Sequence, residues 1–277
     1  MPDQYLQVDG ANLCYEMEGS GPYIVFVAGG NGGSILFRPF RNLLVKHFTV
    51  ILYDRRGYFR SKLTGPQDYT RRIDTDVDDL YNLMRSITKE KFIIFGISSS
   101  GVVLMNYLKK YPDTIHKLFA HEPAVNIFNV SNEKDIWEDH QAIYDTYKKL
   151  GRNSAMVLFG KYYLNELDED ILVRKQCNDR VNNWDYFFEH EWQVYQFTNV
   201  DADEIEPYKD KLVFLYGAEC TDYFVCKPSA VFAKSLGKER LEFPGGHIGF
   251  FTECKKFYPN FIKLCREHSL ILDQPRL

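Results

Sequence analysis

An α/β architecture is the fold class this sequence predicts: a mostly parallel sheet with helices on both faces, interrupted by an inserted helical cap. Three observations carry it. Residues 23–27 (YIVFV), 48–53 (FTVILY), 92–95 (FIIF) and 212–216 (LVFLY) are continuous apolar runs, as strands covered on both faces must be. Helical spacing fills the gaps between these runs, and strands alternating with helices imply parallel pairing. From about Val125 to Pro207 the strand signal vanishes and helical periodicity takes over, which marks an insertion.

Taken in order, residues 5–8 and 13–16 read as short strands joined across Asp9 and Gly10, the turn chemistry of an antiparallel hairpin. After the strands at 23–27 and 48–53, Val77, Leu80, Met84 and Ile87 recur three and four residues apart and predict a helix leading into the strand at 92–95. Val103, Leu104, Tyr107, Leu108 and Tyr111 form the next apolar helical face, which Pro112 stops. Residues 117–120 then lead into another strand end. Within the insertion, Ile136, His140, Ile143, Tyr147 and Leu150 share one helical face. Strands return at 212–216 and 241–243, with a helix around 229–236 between them and an amphipathic helix from about Cys254 to Glu267. The expected organisation is a core at 1–124, a helical cap at 125–207 and the rest of the core at 208–277.

Composition bounds the function. With 277 residues, 45% apolar and 26% charged, the chain is long enough for one large core with a buried pocket. No leader-like start and no long apolar stretch is visible, so the expectation is a cytoplasmic protein without a membrane partner. The cysteines Cys14, Cys177, Cys220, Cys226, Cys254 and Cys265 lack CxxC spacing and read as free thiols. A formal charge of −4 and the lack of a basic block interleaved with aromatics argue against nucleic acid. Residues 131–206 hold 17 acidic and 8 basic residues, against 21 and 26 elsewhere, so the insertion is acidic on a mildly basic core.

The chemistry concentrates at 92–101, FIIFGISSSG, a buried strand running into small residues and then a helix. A nucleophilic serine on such a strained turn needs small residues two positions away on each side. Gly96 and Ser100 meet that need for Ser98, whereas a nucleophile at Ser99 would put Ile97 in a crowded position. Ser98 is therefore the expected nucleophile, and Ser99 donates a backbone N–H. The bland alternative is a serine-rich helix cap. An oxyanion needs a second N–H from the loop after an earlier strand, and Ala28-Gly29-Gly30-Asn31-Gly32-Gly33 follows the 23–27 run. Gly30 is the expected donor, with Gly29 and Asn31 as register alternatives. The same loop, followed by Asp54, imitates a dinucleotide-binding unit, but Ile35 stands where the third glycine belongs. Among the histidines, His247, in PGGHIG beyond the last strand, is placed to act as base. His47, His140, His190 and His268 read as solvated or packing residues, and His116 and His121 as strand-flanking core histidines. No zinc-like spacing occurs, so neither a metal nor another cofactor is expected. Asp54-Arg55-Arg56-Gly57 reads as a charged turn tied down by ion pairs, and Trp184, Tyr186, Phe187, Phe188 and Trp192 as pocket lining or, more simply, core filler.

In order and spacing, Gly29-Gly30, Asp54-Arg55-Arg56-Gly57, Gly96-Ile97-Ser98-Ser99-Ser100-Gly101 and Pro244-Gly245-Gly246-His247 resemble the α/β-hydrolase superfamily. The resemblance covers nearly the whole chain except the cap. It implies an eight-stranded, mostly parallel sheet, a lid after the sixth strand, and acyl transfer to water. Ala120-His121-Glu122-Pro123 and the serine-rich elbow are similar to the branch containing the zearalenone lactonases. Two departures stand out: no histidine precedes the oxyanion-loop glycines, and Phe59 stands where many members have glycine. The triad acid usually follows the 212–216 strand, but there Cys220 occupies the expected position, flanked by Glu219 and Asp222. Glu122 sits between an apolar run and Pro123, an awkward place for an idle charge. The resemblance to the lactonase branch implies the acid there, and Glu122 is assigned the role, with Asp222 and Glu219 as alternatives. The expected activity is hydrolysis of a neutral, largely apolar carboxylic ester or lactone. A ligand-binding receptor that kept the fold with slow turnover is the rival from another class.

Overall fold

The computed structural model describes residues 3–30, 32–125, 134–175, 183–220 and 226–272. Strands β1 (Gln4–Val8) and β2 (Ala11–Gly19) form the hairpin, turning at Gly10, whose φ of 71° lies in the left-handed region. Then come β3 (Tyr23–Val27), α1 (Arg38–Leu44), β4 (Thr49–Tyr53), the two-residue β5 (Lys62–Leu63) and α2 (Arg72–Ile87). They are followed by β6 (Phe92–Ile97), α3 (Ser100–Lys110) and β7 (Ile115–His121). Between β7 and β8 (Leu212–Gly217) the described α-helices are α4 (Lys134–Leu150), α5 (Arg152–Tyr163), α6 (Glu166–Glu169), α7 (Trp184–His190), α8 (Trp192–Gln196) and α9 (Ala202–Ile205). The chain closes with α10 (Cys226–Ser235), β9 (Arg240–Phe243), α11 (Gly249–Thr252) and α12 (Cys254–Glu267).

The main sheet runs β1-β2-β4-β3-β6-β7-β8-β9, with β5 paired to β2 at one side. From β4 to β9 every neighbouring pair is parallel, while β2 joins both β1 and β4 antiparallel. This is the mostly parallel sheet expected, extended by β5, too short to leave a pattern in the sequence. Because side chains alternate across a strand, the apolar runs divide between two cores. Ile24, Phe26, Leu52 and Phe95 face α1 and α12 through Phe40, Leu44, Phe257 and Phe261. Val25, Val27, Ile51 and Ile94 face α2, α3 and α10 through Leu80, Leu104 and Phe232. Each such fully buried side chain contributes roughly 1.5–3 kcal/mol, which is why the runs are almost wholly apolar.

The helical segment continues the first of these cores through Ile143, Met156, Phe159, Trp184 and Trp192. One predicted face needs correction: Leu150 is 71% exposed, because it stands at the very end of α4, where the chain turns through Gly151 (φ 81°) into α5. No helix of the described residues is long and apolar enough to cross a membrane.

Candidate active site

At the end of β6 the backbone enters a tight turn in which Ser98 takes a φ of 57°. That conformation costs a non-glycine residue of order 1–3 kcal/mol, and it persists only where the surroundings over-determine it. Here they do. The Ser98 N–H donates to the His121 carbonyl (3.2 Å), and the Ser98 carbonyl accepts from Gly101 (2.8 Å) and Ala124 (2.9 Å). The Ser100 hydroxyl accepts from the Ile97 N–H at 3.0 Å and donates to the Ile97 carbonyl at 2.7 Å. A methyl at Gly96 would lie 2.1 Å from Leu104 Cδ1 and 3.1 Å from Ser100 Oγ. Gly96 is thus packed closely against Leu104, and Ser100 ties the turn through its hydroxyl. Ser99, buried, lies at the entrance to α3, where backbone N–H groups and the helix dipole favour negative charge.

The glycine loop after β3 lies against this turn. A Cβ at Gly29 would stand 2.9 Å from Ser98 Cβ, and one at Gly30 would stand 2.7 Å from the Phe187 ring. A side chain at Gly29 would crowd Ser98 and the Ile97 carbonyl, one at Gly30 would displace the Phe187 ring, and both glycines line the same cavity as Ser98, Ser99 and His247. Asn31, the remaining register alternative, lies outside the described residues.

His247 follows β9 and directs Nδ1 to Glu122 Oε2 at 2.6 Å. Glu122 is fully buried at the end of β7 with φ 44°, and its other oxygen accepts the Gly217 N–H at 2.8 Å and the Cys226 thiol at 3.6 Å. Burial alone would raise its pKa, but the hydrogen bond and charge of His247, the nearby His121 and the Gly217 N–H outweigh it and bring the carboxyl down to about 2. An ionised carboxylate only accepts, so the bond to Glu122 is donated by Nδ1–H of His247. Cys220 is buried close to the same carboxylate, which, with burial, pushes its thiol far up. Glu219 is exposed and accepts instead from Asn165 Nδ2 at 3.3 Å, and Asp222 lies outside the described residues.

The cavity beside Ser98 and His247 measures about 50 Å³ and is walled by Leu36, Phe37, Phe159, Leu172, Trp184 and Phe250. Of the insertion's aromatics singled out in the sequence, Trp184 and Phe187 line it. Tyr186, Phe188 and Trp192 are core: Trp192 donates Nε1–H to the His140 carbonyl at 3.3 Å. His140, buried among Tyr163, Trp192 and Phe197, packs, and desolvation lowers its pKa to about 3.

Three features go beyond the sequence reading, which has His121 only as a core histidine and Arg55 only as part of a charged turn. His121 is fully buried with its ring 6.5 Å from that of His247, and desolvation lowers its pKa to about 4, which keeps its own ring neutral at neutral pH. Asp168, in α6, is also fully buried; its Oδ2 sits 3.4 Å from the Ile248 N–H and fills the space that a Cβ at Gly246 would need. Burial raises this carboxyl to about 6 against the opposing pull of His247. Arg55, read as part of a charged turn, donates to the carbonyls of Ala28 (3.1 Å) and Gly29 (2.8 Å) and is held by Glu191 of the helical segment. Nothing in a linear sequence pairs residues 136 positions apart. The Asp54 part of the turn is tied as expected, accepting the Ser34 N–H and hydroxyl, each at 2.8 Å, and Arg60 at 2.7 Å.

Residues 22–203 match the family model described as alpha/beta hydrolase fold. The chain is 30% identical over 256 residues to the uncharacterized hydrolase YraK of Bacillus subtilis (strain 168), spanning 91% of this chain and 92% of that protein. It is 33% identical over 162 residues to the human serine hydrolase BPHL, spanning 56% of this chain and 54% of that one. Among solved structures, the enol-lactonase from Burkholderia xenovorans LB400 superposes with a TM-score of 0.75 at 16% identity, over 95% of this chain and 100% of the other.

Proposed function

This chain belongs to the alpha/beta hydrolase fold family, and on that premise we propose that it is a serine hydrolase of carboxylic esters or lactones, with Ser98 as nucleophile, His247 as base and Glu122 as orienting acid. The observation that carries the reading is the 2.6 Å contact between His247 Nδ1 and a buried, ionised Glu122, made on the wall of a cavity that Ser98 shares. The 33% identity to a serine hydrolase supports the class.

The chemistry follows from the groups present. His247 Nε2 takes the Ser98 proton as Oγ bonds to the substrate carbonyl carbon, and the carbonyl oxygen becomes an oxyanion facing the N–H groups of Gly30 and Ser99. Collapse expels the alkoxide, which leaves with the proton from His247. Water, deprotonated by the same imidazole, then attacks the acyl-enzyme and frees the acid and Ser98. A lactone would open by the same steps with its alcohol still tethered, the substrate type of the zearalenone lactonase branch. Residues 125–207 act in this scheme as a cap, supplying Trp184 and Phe187 to the substrate cavity.

A fluorophosphonate probe should label Ser98 alone, and Ser98→Ala should abolish turnover of an aryl ester. Peptide mapping of the labelled protein checks the first and stopped assays the second. Label on Ser99 or Ser100, or wild-type turnover by Ser98→Ala, sinks the reading.

A further inference from the structure

The oxyanion loop is held from behind by one guanidinium. Arg55 Nε donates to the Ala28 carbonyl and Nη2 to the Gly29 carbonyl, at 3.1 and 2.8 Å. In a planar trans peptide the C=O of one residue and the N–H of the next lie in one plane and point opposite ways. Gripping the Gly29 carbonyl therefore sets the direction of the Gly30 N–H, and gripping the Ala28 carbonyl sets that of Gly29. The Gly32 N–H, also donating to the Gly29 carbonyl at 2.9 Å, closes the turn.

Arg55 is itself aimed by the helical segment. Glu191, at the junction of α7 and α8, accepts from Arg55 Nη1 and Nη2, each at 2.8 Å, a bidentate fork that fixes the guanidinium plane. Arg72 also donates to Glu191, through Nε at 3.1 Å and through Nη2, while Asp76 takes Arg55 Nη1 at 2.9 Å. Arg55, Arg72, Asp76 and Glu191 are all at most 2% exposed, so two positive and two negative charges balance out of water. The same helices deliver Phe187 onto the face of Gly30. A purely structural ion pair would not need its arginine to spend two donors on this loop.

Resting on the serine-hydrolase reading above, we propose that Glu191 is a positioning residue for catalysis: acting through Arg55, it holds the peptide planes that present the Gly30 and Gly29 N–H groups to the oxyanion. The helical segment thereby sets the catalytic geometry of the core as well as shaping its cavity. A donor that points off the oxyanion loses interaction only where charge develops, so the deficit falls on kcat and leaves KM nearly unchanged.

The test is Glu191→Gln, assayed per active site titrated with fluorophosphonate on a neutral aryl ester. We expect kcat to fall at least tenfold, short of the roughly 10²–10³-fold loss of deleting a donor outright, with KM within about twofold. A boronic acid that mimics the tetrahedral intermediate should lose affinity by a similar factor. Because Glu191→Gln leaves an unbalanced buried charge, the double variant Arg72→Gln/Glu191→Gln is made beside it; it removes one charge of each sign and keeps Arg55 paired with Asp76. The same kcat deficit in the folded double variant supports the proposal. Wild-type kcat in either folded variant, or loss of fold in both, assigns Glu191 to stability alone and overturns it. Failure of the serine reading shows separately, as full activity in Ser98→Ala.

Discussion

Glu122 illustrates how much one residue's neighbours disclose. Its charge between an apolar strand and Pro123 was legible as anomalous, but the partner contact itself was not, because His247 lies 125 residues further along and meets it only when β8 pairs with β7 and β9 with β8. The left-handed φ of 44° and the Gly217 N–H bond at 2.8 Å turn the carboxylate across the strand ends. Cys220, at the position from which the acid usually comes, is buried beside it as a small, unionised filler. Glu122→Gln should therefore cut kcat by roughly 10⁴-fold, as loss of the orienting carboxylate does in other triads, while Glu219→Gln and Asp222→Asn cost less than a few-fold. Steady-state kinetics on the three variants decide it: a nearly active Glu122→Gln beside a dead but folded Glu219 or Asp222 variant would move the acid elsewhere. The turn at Ser98 was readable for the opposite reason, since the small residues that permit it, Gly96 and Ser100, lie two positions away, although the His121 and Ala124 bonds that fix it do not.

Among elements, the strands and long helices announced themselves through uninterrupted runs or regular spacing, and the predicted 23–27 and 254–267 segments coincide with β3 and α12. The segment between β7 and β8 announced its helical character and α4, but not its shorter helices, because α6, α8 and α9 span only four or five residues and a π-helical turn at Asp170–Lys175 shifts the phase on which periodicity depends. Asp168 belongs to that irregular stretch, which explains both its concealment and its depth. Its carboxyl is raised to about 6, above its unfolded value near 3.8. Between those values the folded protein holds a proton that the unfolded chain has released, so stability falls as pH rises from about 4 to 6 and the deficit persists above. Asp168→Asn lacks that titration. Its unfolding midpoint relative to wild type should climb across this window, and thermal melts from pH 4 to 8 would show it; a constant difference across the range would remove the assigned shift.

At the scale of the whole molecule, the charge division seen in the sequence and the apolar lining of the cavity act on the same question, which substrate enters. The 131–206 stretch carries a net negative charge, and it contributes Phe159, Leu172, Trp184 and Phe187 to the cavity wall. A polyanion approaching this side should meet repulsion outside and no lysine or arginine among the lining residues, whereas an uncharged ester exchanges water for aromatic surface. Size adds a second constraint. The cavity is about 50 Å³, against the ~150 Å³ of a site that accommodates benzene, so the acyl or lactone portion nearest Ser98 is small unless the helical segment moves. Short acyl esters of a neutral alcohol should accordingly show kcat/KM at least tenfold above dodecanoyl esters, and above phosphorylated esters of the same chain length. A panel of acetyl, butyryl, octanoyl and dodecanoyl aryl esters with one phosphorylated analogue measures both trends. Preference for the phosphorylated ester would overturn the charge argument, and a kcat/KM rising with chain length would show that the helical segment opens well beyond the cavity seen here.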